Sequence, residues 1–227
     1  MRSRRGIRKR GSRAIAIFGG TFDPIHNGHV AVAKAAAKRF RLDEIYFLPS
    51  SRPPHKKPQE LAGFAHRYAM VCLACAGNSR FVPSLAEAPP ETGKANVFYS
   101  IDTVRCFHRE HTHEQIYFIV GADSFLEISA WKSYEEFLDS CDFIIASRPG
   151  FKLDKLREVI PPKMLSAAKP ADRDAISLRK STAYLLTAVS SYVSSTDIRR
   201  RRKRGQSIHA LVPAPVEDYI LKQALYR

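Results

Sequence analysis

Short apolar runs alternate along this chain with longer segments in which apolar residues recur every three or four positions. The short runs predict strands at 14–18, 44–48, 115–120, 142–146 and 184–189. The longer segments predict helices near 28–40, 61–77, 99–110, 123–129, 132–139, 195–204 and 215–225. Strands that alternate with helices indicate crossover units. We therefore expect an α/β protein with a Rossmann-like, doubly wound, mostly parallel sheet and a small C-terminal helical part.

Interruptions in this pattern indicate loops and domain limits. Proline-rich 49–58 and 83–93 predict loops, whereas 150–181 has no legible pattern. We expect a basic, disordered tail over 1–13 and a single domain over 14–227, with 190–227 as its C-terminal helical subregion. No apolar run approaches the roughly 18 residues that cross a membrane, and the N-terminal arginines precede no signal-like apolar segment. A cytoplasmic protein without a membrane partner is the expectation.

The net charge of +15 comes from two short segments. Residues 1–13 hold seven bases and 199–204 hold six, and neither segment contains an acid. The rest of the chain is nearly neutral, with 24 bases against 22 acids. A nucleic-acid-binding protein that uses these two segments is one hypothesis, and it predicts affinity that falls steeply with salt. It leaves the motifs between them unexplained.

The cysteines allow two interpretations. Cys72 and Cys75 have the spacing of a zinc-binding pair, but they lie in a predicted helix and no second pair exists. Reduced thiols are the favoured interpretation. A zinc site completed by Cys106 and the histidines that follow it is the alternative.

The segment GGTFDPIHNGH at 19–29 connects the first predicted strand to the first predicted helix. A glycine-led turn at a helix start presents backbone N–H groups and the positive end of the helix dipole, which together favour phosphate. The segment also contains two imidazoles, His26 and His29. Other hydrogen-bond donors follow the remaining strands, where open α/β sheets bind their ligands.

These motifs, taken in order, resemble those of the nicotinate-nucleotide adenylyltransferases, within the HxGH nucleotidyltransferase superfamily. The resemblance runs from about Ala14 to Tyr226, and its most specific parts are GGTFDPIHNGH at 19–29 and SSTDIR at 194–199. It implies adenylyl transfer from ATP to nicotinate mononucleotide, which forms deamido-NAD and pyrophosphate in NAD biosynthesis. By this resemblance, the mononucleotide phosphate would attack the α-phosphorus in line, without a covalent enzyme intermediate. ATP would carry Mg²⁺ on its phosphates, since the sequence shows no dedicated carboxylate ligands.

The resemblance also implies roles for individual residues. His26 and His29 would be catalytic, donating hydrogen bonds to the α-phosphate in the transition state. The expected ATP-binding residues are Gly19, Gly20, Thr21, Phe22, Gly28, Gly121, Asp123, Ser195, Thr196 and Arg199. The expected mononucleotide-binding residues are Lys56, Tyr99, Ser100 and Trp131, with Trp131 stacked on the pyridine ring.

Competing roles stay open at several of these positions. Trp131 could pack in the core, and Asp123 could also cap a helix. Arg200 to Arg204 form either a solvated basic face or a set that steers pyrophosphate.

Nicotinamide mononucleotide and phosphopantetheine are alternative second substrates. His26 argues against phosphopantetheine enzymes, which commonly have threonine there. Ser100 stands where the family has threonine, and the sequence does not itself separate the acid from the amide. A homo-oligomer is also left open.

Overall fold

The computed structural model describes residues 12–51, 61–90, 97–187 and 193–227, so most of the tail predicted over 1–13 lies outside it. Seven strands form one sheet: β1 (Ala14–Gly20), β2 (Glu44–Pro49), β3 (Phe81–Pro83), β4 (Gln115–Gly121), β5 (Asp142–Ala146), β6 (Ala175–Ser177) and β7 (Thr182–Leu186). Their order is β3-β2-β1-β4-β5-β7-β6, so the direction of strand addition reverses between β1 and β4. β4 is parallel to β1 and β5, and β7 is parallel to β5 and antiparallel to β6. The predicted Rossmann-like α/β fold with a mostly parallel sheet is confirmed.

Eight α-helices lie within the described part of the chain, and most match a predicted segment. They are α1 (Asn27–Phe40), α2 (Phe64–Cys75), α3 (Ser100–Glu110), α4 (Ala122–Leu126), α5 (Tyr134–Ser140), α6 (Leu153–Glu158), α7 (Ser195–Lys203) and α8 (Ala214–Lys222). The helix predicted near 123–129 is wrong in its second half, because α4 ends at Leu126 and a 3-10 turn follows at Ile128–Ala130. The illegible segment 150–181 contains α6, a second 3-10 turn at Pro162–Met164 and β6.

Two of the strands, β3 and β6, were not predicted. Each has only three residues, which is too short for a strand period to show in the sequence. β6 forms by pairing with β7, where Ile176 lies opposite Ala183. The loop was predicted to begin at residue 83, which is one residue too early because β3 ends at Pro83. The last predicted strand is shifted: β7 begins at Thr182 and ends at Leu186, and residues 188 and 189 lie outside the described chain.

The described residues form two compact units. The first comprises the described residues within Met1–Phe18, Ala35–Ile45 and Tyr99–Ser190. β1, β4 and β5 read as near-continuous apolar runs because both faces of a buried parallel sheet are covered. Phe118 and Phe143 both meet the ring of Phe137 edge-to-face, with centroids 5.1 Å apart in each pair. Full burial of such a side chain stabilises the fold by about 1.5–3 kcal/mol.

The second unit comprises Gly19–Lys34, Tyr46–Phe98 and Ser191–Arg227. Its core includes Phe22, Phe47 and Phe81, with ring centroids 5.9 Å and 5.1 Å apart in sequence order. α2 contacts α8, and the hydroxyl of Tyr219 lies 2.9 Å from Nδ1 of His66 between them. The single domain predicted over 14–227 stays a prediction beside these two units.

None of the helices described here has the length and apolar character that a membrane crossing requires. Cys72, Cys75, Cys106 and Cys141 are free thiols. Burial raises the pKa of Cys75 to about 12, so this thiol is protonated and unreactive at neutral pH.

Candidate active site

The turn after β1 brings His26 and His29 together at the start of α1. His26 directly precedes the helix, and its carbonyl accepts the backbone N–H groups of His29 at 2.9 Å and Val30 at 3.2 Å. The ring Nδ1 of His29 accepts the backbone N–H of His26 at 3.2 Å, and Nδ1 of His26 accepts that of His29 at 3.4 Å. The two side chains therefore form a reciprocal capping box, a motif usually made by serine or threonine with glutamate.

This capping assigns the tautomer of both rings. A nitrogen that accepts a backbone N–H carries no proton, so in each neutral ring the proton is on Nε2. Burial lowers the pKa of His26 to about 4, and its ring is neutral at pH 7. The rings stack with centroids 3.7 Å apart and planes at 21°. The pair thus carries two Nε2–H donors without requiring a positive charge.

Phe22 supports this pair from the core. Its ring meets the His29 ring edge-on, with centroids 5.1 Å apart at 81°, and its side chain is buried. A Cβ on Gly20 would lie 3.1 Å from the Phe22 ring, closer than an ordinary contact, so glycine lets the ring pack here without displacement. Phe22 was expected to bind ATP. Its ring packs on His29 and Phe47 and helps to hold the orientation of His29, and its role in ATP binding stays a prediction.

The remaining residues expected in this turn lie beside the histidines. Gly19 ends β1 with Gly20, and Gly28 is buried in the first turn of α1. The carbonyl of Thr21 accepts a hydrogen bond from Nη1 of Arg67 at 2.8 Å. Asn27 anchors the helix start, because its N–H and Nδ2 donate to the carbonyls of Leu211 and Ala210 at 2.9 Å and 2.7 Å.

The start of α7 lies against the same turn. Ser194 caps this helix by accepting the N–H of Asp197 at 3.1 Å, and Ser195 Oγ donates to the carbonyl of Pro24 at 2.9 Å. Nη1 of Arg199 donates to the carbonyl of Asp23 at 2.7 Å, and its Nη2 donates to Oγ1 of Thr196 at 3.3 Å. The structure thus brings the two most specific motifs together, although about 170 residues separate them in sequence.

Three polar residues that contact this turn were not predicted as site residues: Asp23 and Arg67, which are buried, and Tyr226, which is half-buried. Asp23 is fully buried, and its Oδ1 accepts the Ala62 N–H at 3.2 Å and the Tyr226 hydroxyl at 2.6 Å. Arg67 donates to the carbonyls of Thr21, Ala62 and Ser51. The sequence signal for Arg67 is a single arginine among the apolar residues of α2. Asp23 lies within the motif at 19–29, which does not by itself indicate its burial, and Tyr226 carries no comparable signal.

The basic run on α7 divides into paired and unpaired residues. Asp197 accepts hydrogen bonds from the guanidinium groups of Arg200 and Arg201. A cavity of about 730 Å³ lies beside this helix, lined by Thr196, Arg199, Arg200, Lys203, Arg204 and Tyr226, among others. Lys203 and Arg204 form no ion pair with any acid of the described residues, so the cavity carries positive charge.

The residues expected for adenosine and mononucleotide in the first unit occupy two helix starts. Gly121 ends β4 and is the N-cap of α4, without a capping side chain. Asp123 is exposed within the first turn of that helix, so the alternative that it caps the helix is wrong. Ser100 begins α3, and Tyr99, which precedes it, has an exposed ring that Lys132 Nζ contacts at 4.2 Å from the centroid.

Trp131 lies at the end of the 3-10 turn after α4. One face of its ring stacks on Phe137, with centroids 5.7 Å apart and planes at 17°, and its side chain is only half-buried. Partial core packing and an accessible ring are therefore both present at Trp131. Lys56 lies outside the described residues.

No set of three histidine, cysteine, aspartate or glutamate side chains that could hold a metal ion occurs in residues 12–51, 61–90, 97–187 and 193–227. The donor set gathered at the turn consists of imidazole N–H, hydroxyl, guanidinium and helix N-terminal groups. These groups bind phosphate oxygens rather than cations.

Known proteins resemble this chain in sequence and in fold. The cytidylyltransferase-like family matches residues 17–201. The probable nicotinate-nucleotide adenylyltransferase of Moorella thermoacetica is 41% identical over 214 residues, covering 94% of this chain and 91% of that protein. That of a Thermoanaerobacter species is 38% identical, covering 94% of each chain.

A solved structure, the Plasmodium falciparum nicotinic acid mononucleotide adenylyltransferase complexed with NaAD, superimposes with a TM-score of 0.70 at 20% identity. The match covers 94% of this chain and 97% of that chain, and at this identity it concerns the fold. The sequence identity to the two relatives from Moorella and Thermoanaerobacter extends over nearly the whole chain. This chain belongs to the cytidylyltransferase-like family and, within it, to the nicotinate-nucleotide adenylyltransferases.

Proposed function

We propose that the protein transfers the adenylyl group of ATP to nicotinate mononucleotide by direct in-line attack, and that His26 and His29 stabilise the transition state. The observation that carries this proposal is the reciprocal capping of the two imidazoles, which makes each neutral ring an Nε2–H donor. Neutral donors held in place by the backbone need no reorganisation as charge develops on the α-phosphate.

The reaction needs no enzyme nucleophile. An oxygen of the mononucleotide 5′-phosphate forms a bond to the α-phosphorus of ATP, while the bond from that phosphorus to the bridging oxygen of the β-phosphate breaks. Pyrophosphate leaves with the electron pair of the broken bond. The attacking phosphate is already ionised near pH 7, so the enzyme contributes positioning and charge stabilisation.

The start of α7 is our proposed site for the β- and γ-phosphates. The hydroxyl of Ser195 already donates to the Pro24 carbonyl, so Ser195 would bind phosphate through its backbone N–H. Oγ1 of Thr196 accepts from Arg199, which leaves its own O–H available as a donor. The guanidinium of Arg199 has five N–H groups, and those not used by Asp23 and Thr196 can bind phosphate oxygens.

The other expected residues complete the proposal. Gly19, Gly20, Thr21 and Gly28 would let the phosphate chain approach the backbone of the turn, and Gly121 and Asp123 would contact adenosine. Tyr99, Ser100, Trp131 and Lys56 would bind the mononucleotide, with the accessible face of Trp131 on the pyridine ring. A divalent cation, Mg²⁺, would enter with ATP as part of the substrate and neutralise its phosphates. We expect the reaction to occur in the cytoplasm.

Pyrophosphate release tests the assignment. The protein is supplied with ATP, Mg²⁺ and one of three acceptors: nicotinate mononucleotide, nicotinamide mononucleotide or phosphopantetheine. We expect turnover with nicotinate mononucleotide and at least about tenfold lower kcat/KM with the amide, because the two differ by one charge. Greater turnover with the amide would contradict nicotinate mononucleotide as the substrate. No release of pyrophosphate with any acceptor would contradict adenylyl transfer as the function.

The in-line mechanism has a separate test. ATP with a chiral α-thiophosphate should give product with inverted configuration at phosphorus, since a single displacement inverts the centre. Retention would instead indicate two displacements and a covalent enzyme intermediate.

A further inference from the structure

Asp23 is a fully buried carboxylate within the second unit, and its two oxygens have different surroundings. Oδ1 accepts two hydrogen bonds, from the Ala62 N–H at 3.2 Å and from the hydroxyl of Tyr226 at 2.6 Å. Oδ2 accepts no hydrogen bond among the described residues and lies 3.7 Å from Nη1 of Arg199. The carboxylate therefore divides its charge between a hydroxyl donor and a guanidinium.

Tyr226 is suited to remain a donor. Burial and the neighbouring charge of Asp23 raise the pKa of its hydroxyl far above the ordinary value of a tyrosine. Its O–H is thus retained at neutral pH. The bond joins residues 203 positions apart, so it forms only when the turn after α8 packs against the turn after β1.

We propose that Tyr226 is a positioning residue for ATP binding, which acts through Asp23 on the guanidinium of Arg199. This inference rests on the proposed role of Arg199 in phosphate binding. Nη1 of Arg199 donates to the backbone carbonyl of Asp23 at 2.7 Å and faces the carboxylate of the same residue at 3.7 Å. Tyr226 occupies one carboxylate oxygen, which limits the pull of Asp23 on the arginine.

Removal of the hydroxyl changes this balance. With one donor lost, the buried carboxylate has to satisfy its charge elsewhere. Of the two cations near it, Arg67 is already bonded to three carbonyls, whereas Nη1 of Arg199 faces the carboxylate at 3.7 Å. A shorter pair between Asp23 and Arg199 draws the guanidinium away from Thr196 and from an incoming phosphate. The cost falls on ATP binding, whereas Tyr99, Ser100 and Trp131, three of the four residues proposed for the mononucleotide, belong to the first unit.

Tyr226→Phe removes a single oxygen and tests the proposal in the full-length protein. We expect the KM for ATP to rise about tenfold and the KM for nicotinate mononucleotide to change less than about twofold, because a hydrogen bond to a charged group is lost. Tyr219→Phe is the matched control: it removes a tyrosine hydroxyl bonded to His66 in the same unit, and its KM for ATP should not change. Thermal unfolding of each variant is measured alongside.

A double-mutant cycle separates positioning from a general loss of stability. In an Arg199→Lys background, Tyr226→Phe should no longer weaken ATP binding, since the group through which it acts is gone. A tenfold effect that persists there would overturn the proposal. So would an unchanged KM for ATP in Tyr226→Phe, or an equal rise for both substrates together with a lowered unfolding temperature.

Calorimetric titration with Mg·ATP keeps this inference distinct from the proposed reaction. About tenfold weaker ATP binding by Tyr226→Phe than by the wild type supports the role of Tyr226 even where no acceptor gives turnover. Equal ATP affinity in the two proteins contradicts it, whatever the reaction proves to be.

Discussion

The backbone N–H of His26 donates to Nδ1 of His29 at 3.2 Å, and the backbone N–H of His29 is directed at Nδ1 of His26 at 3.4 Å. One pair of side chains therefore caps α1 and sets its own tautomers. In each ring Nδ1 caps the helix, whereas Nε2 carries the proton that is proposed to bind the α-phosphate. The two roles can be separated by substitution.

His29→Asn should retain stability and lose turnover. The asparagine Oδ1 lies about where Nδ1 lies and can accept the His26 N–H, but asparagine has no atom at the position of Nε2. We expect kcat to fall about 10²–10³-fold, the usual effect of losing one donor to a developing charge. His29→Ala should lose as much turnover and also about 1 kcal/mol of unfolding free energy, measured by denaturant titration. Turnover near that of the wild type in His29→Asn would remove Nε2 from the mechanism.

Acid should destabilise the fold through His26. Its pKa is about 4 in the folded protein, against an ordinary value of 6.5 in the unfolded chain. The unfolded state therefore takes up the proton first, and stability present above pH 6.5 is lost as the pH falls towards 4. The loss approaches about 3 kcal/mol by the lower limit of this window. It can be measured as the free energy of unfolding at intervals of pH.

The control for this pH dependence is His26→Asn, which preserves an N-cap but cannot titrate in this range. Its stability should fall less steeply between pH 6.5 and 4 than that of the wild type. Parallel curves for the two proteins would show that other groups cause the acid sensitivity.

Substitution of Trp131 should weaken the binding of nicotinate mononucleotide more than that of ATP. Trp131→Leu removes the aromatic face, whereas Trp131→Phe retains one and preserves packing against Phe137. We expect the KM for nicotinate mononucleotide to rise about tenfold in the leucine variant, since stacking of a base on an aromatic ring contributes about 1–3 kcal/mol. The KM of the phenylalanine variant should lie between those of the wild type and the leucine variant. An unchanged KM in Trp131→Leu, with reduced stability, would identify Trp131 as a packing residue.

Arg67 should be required for the fold of the turn. The residue is 2% exposed, and its guanidinium donates to carbonyls of Thr21 and Ala62 that would otherwise lose their partner. Arg67→Met should lower the free energy of unfolding by about 2–4 kcal/mol, because buried acceptors are left unsatisfied. Arg80→Met, at an exposed arginine in the same unit, should change it by less than about 0.5 kcal/mol. Similar values for the two variants in urea titrations would contradict this role.

Local sequence predicted the elements that bury many apolar residues in a row or at a helical period. β1 and β4 were found within two residues of their ends, because a strand covered on both faces reads as an unbroken apolar run. β6 escaped prediction, since its three residues become a strand only through pairing with β7. Asp123 was wrong as a helix cap because the N-cap is Gly121, and helix ends depend on backbone angles that composition does not reveal.

By itself, the sequence determined the fold class, the family and the chemical types gathered at the site, because these depend on apolar periodicity and on short motifs that local order records. Only the tertiary structure decided that Asp23 is buried between Tyr226 and Arg199, and that His26 and His29 cap one another. Burial and hydrogen bonding between distant segments arise when the chain packs. The sequence records an aspartate at position 23 but does not record whether its carboxylate is solvated or buried.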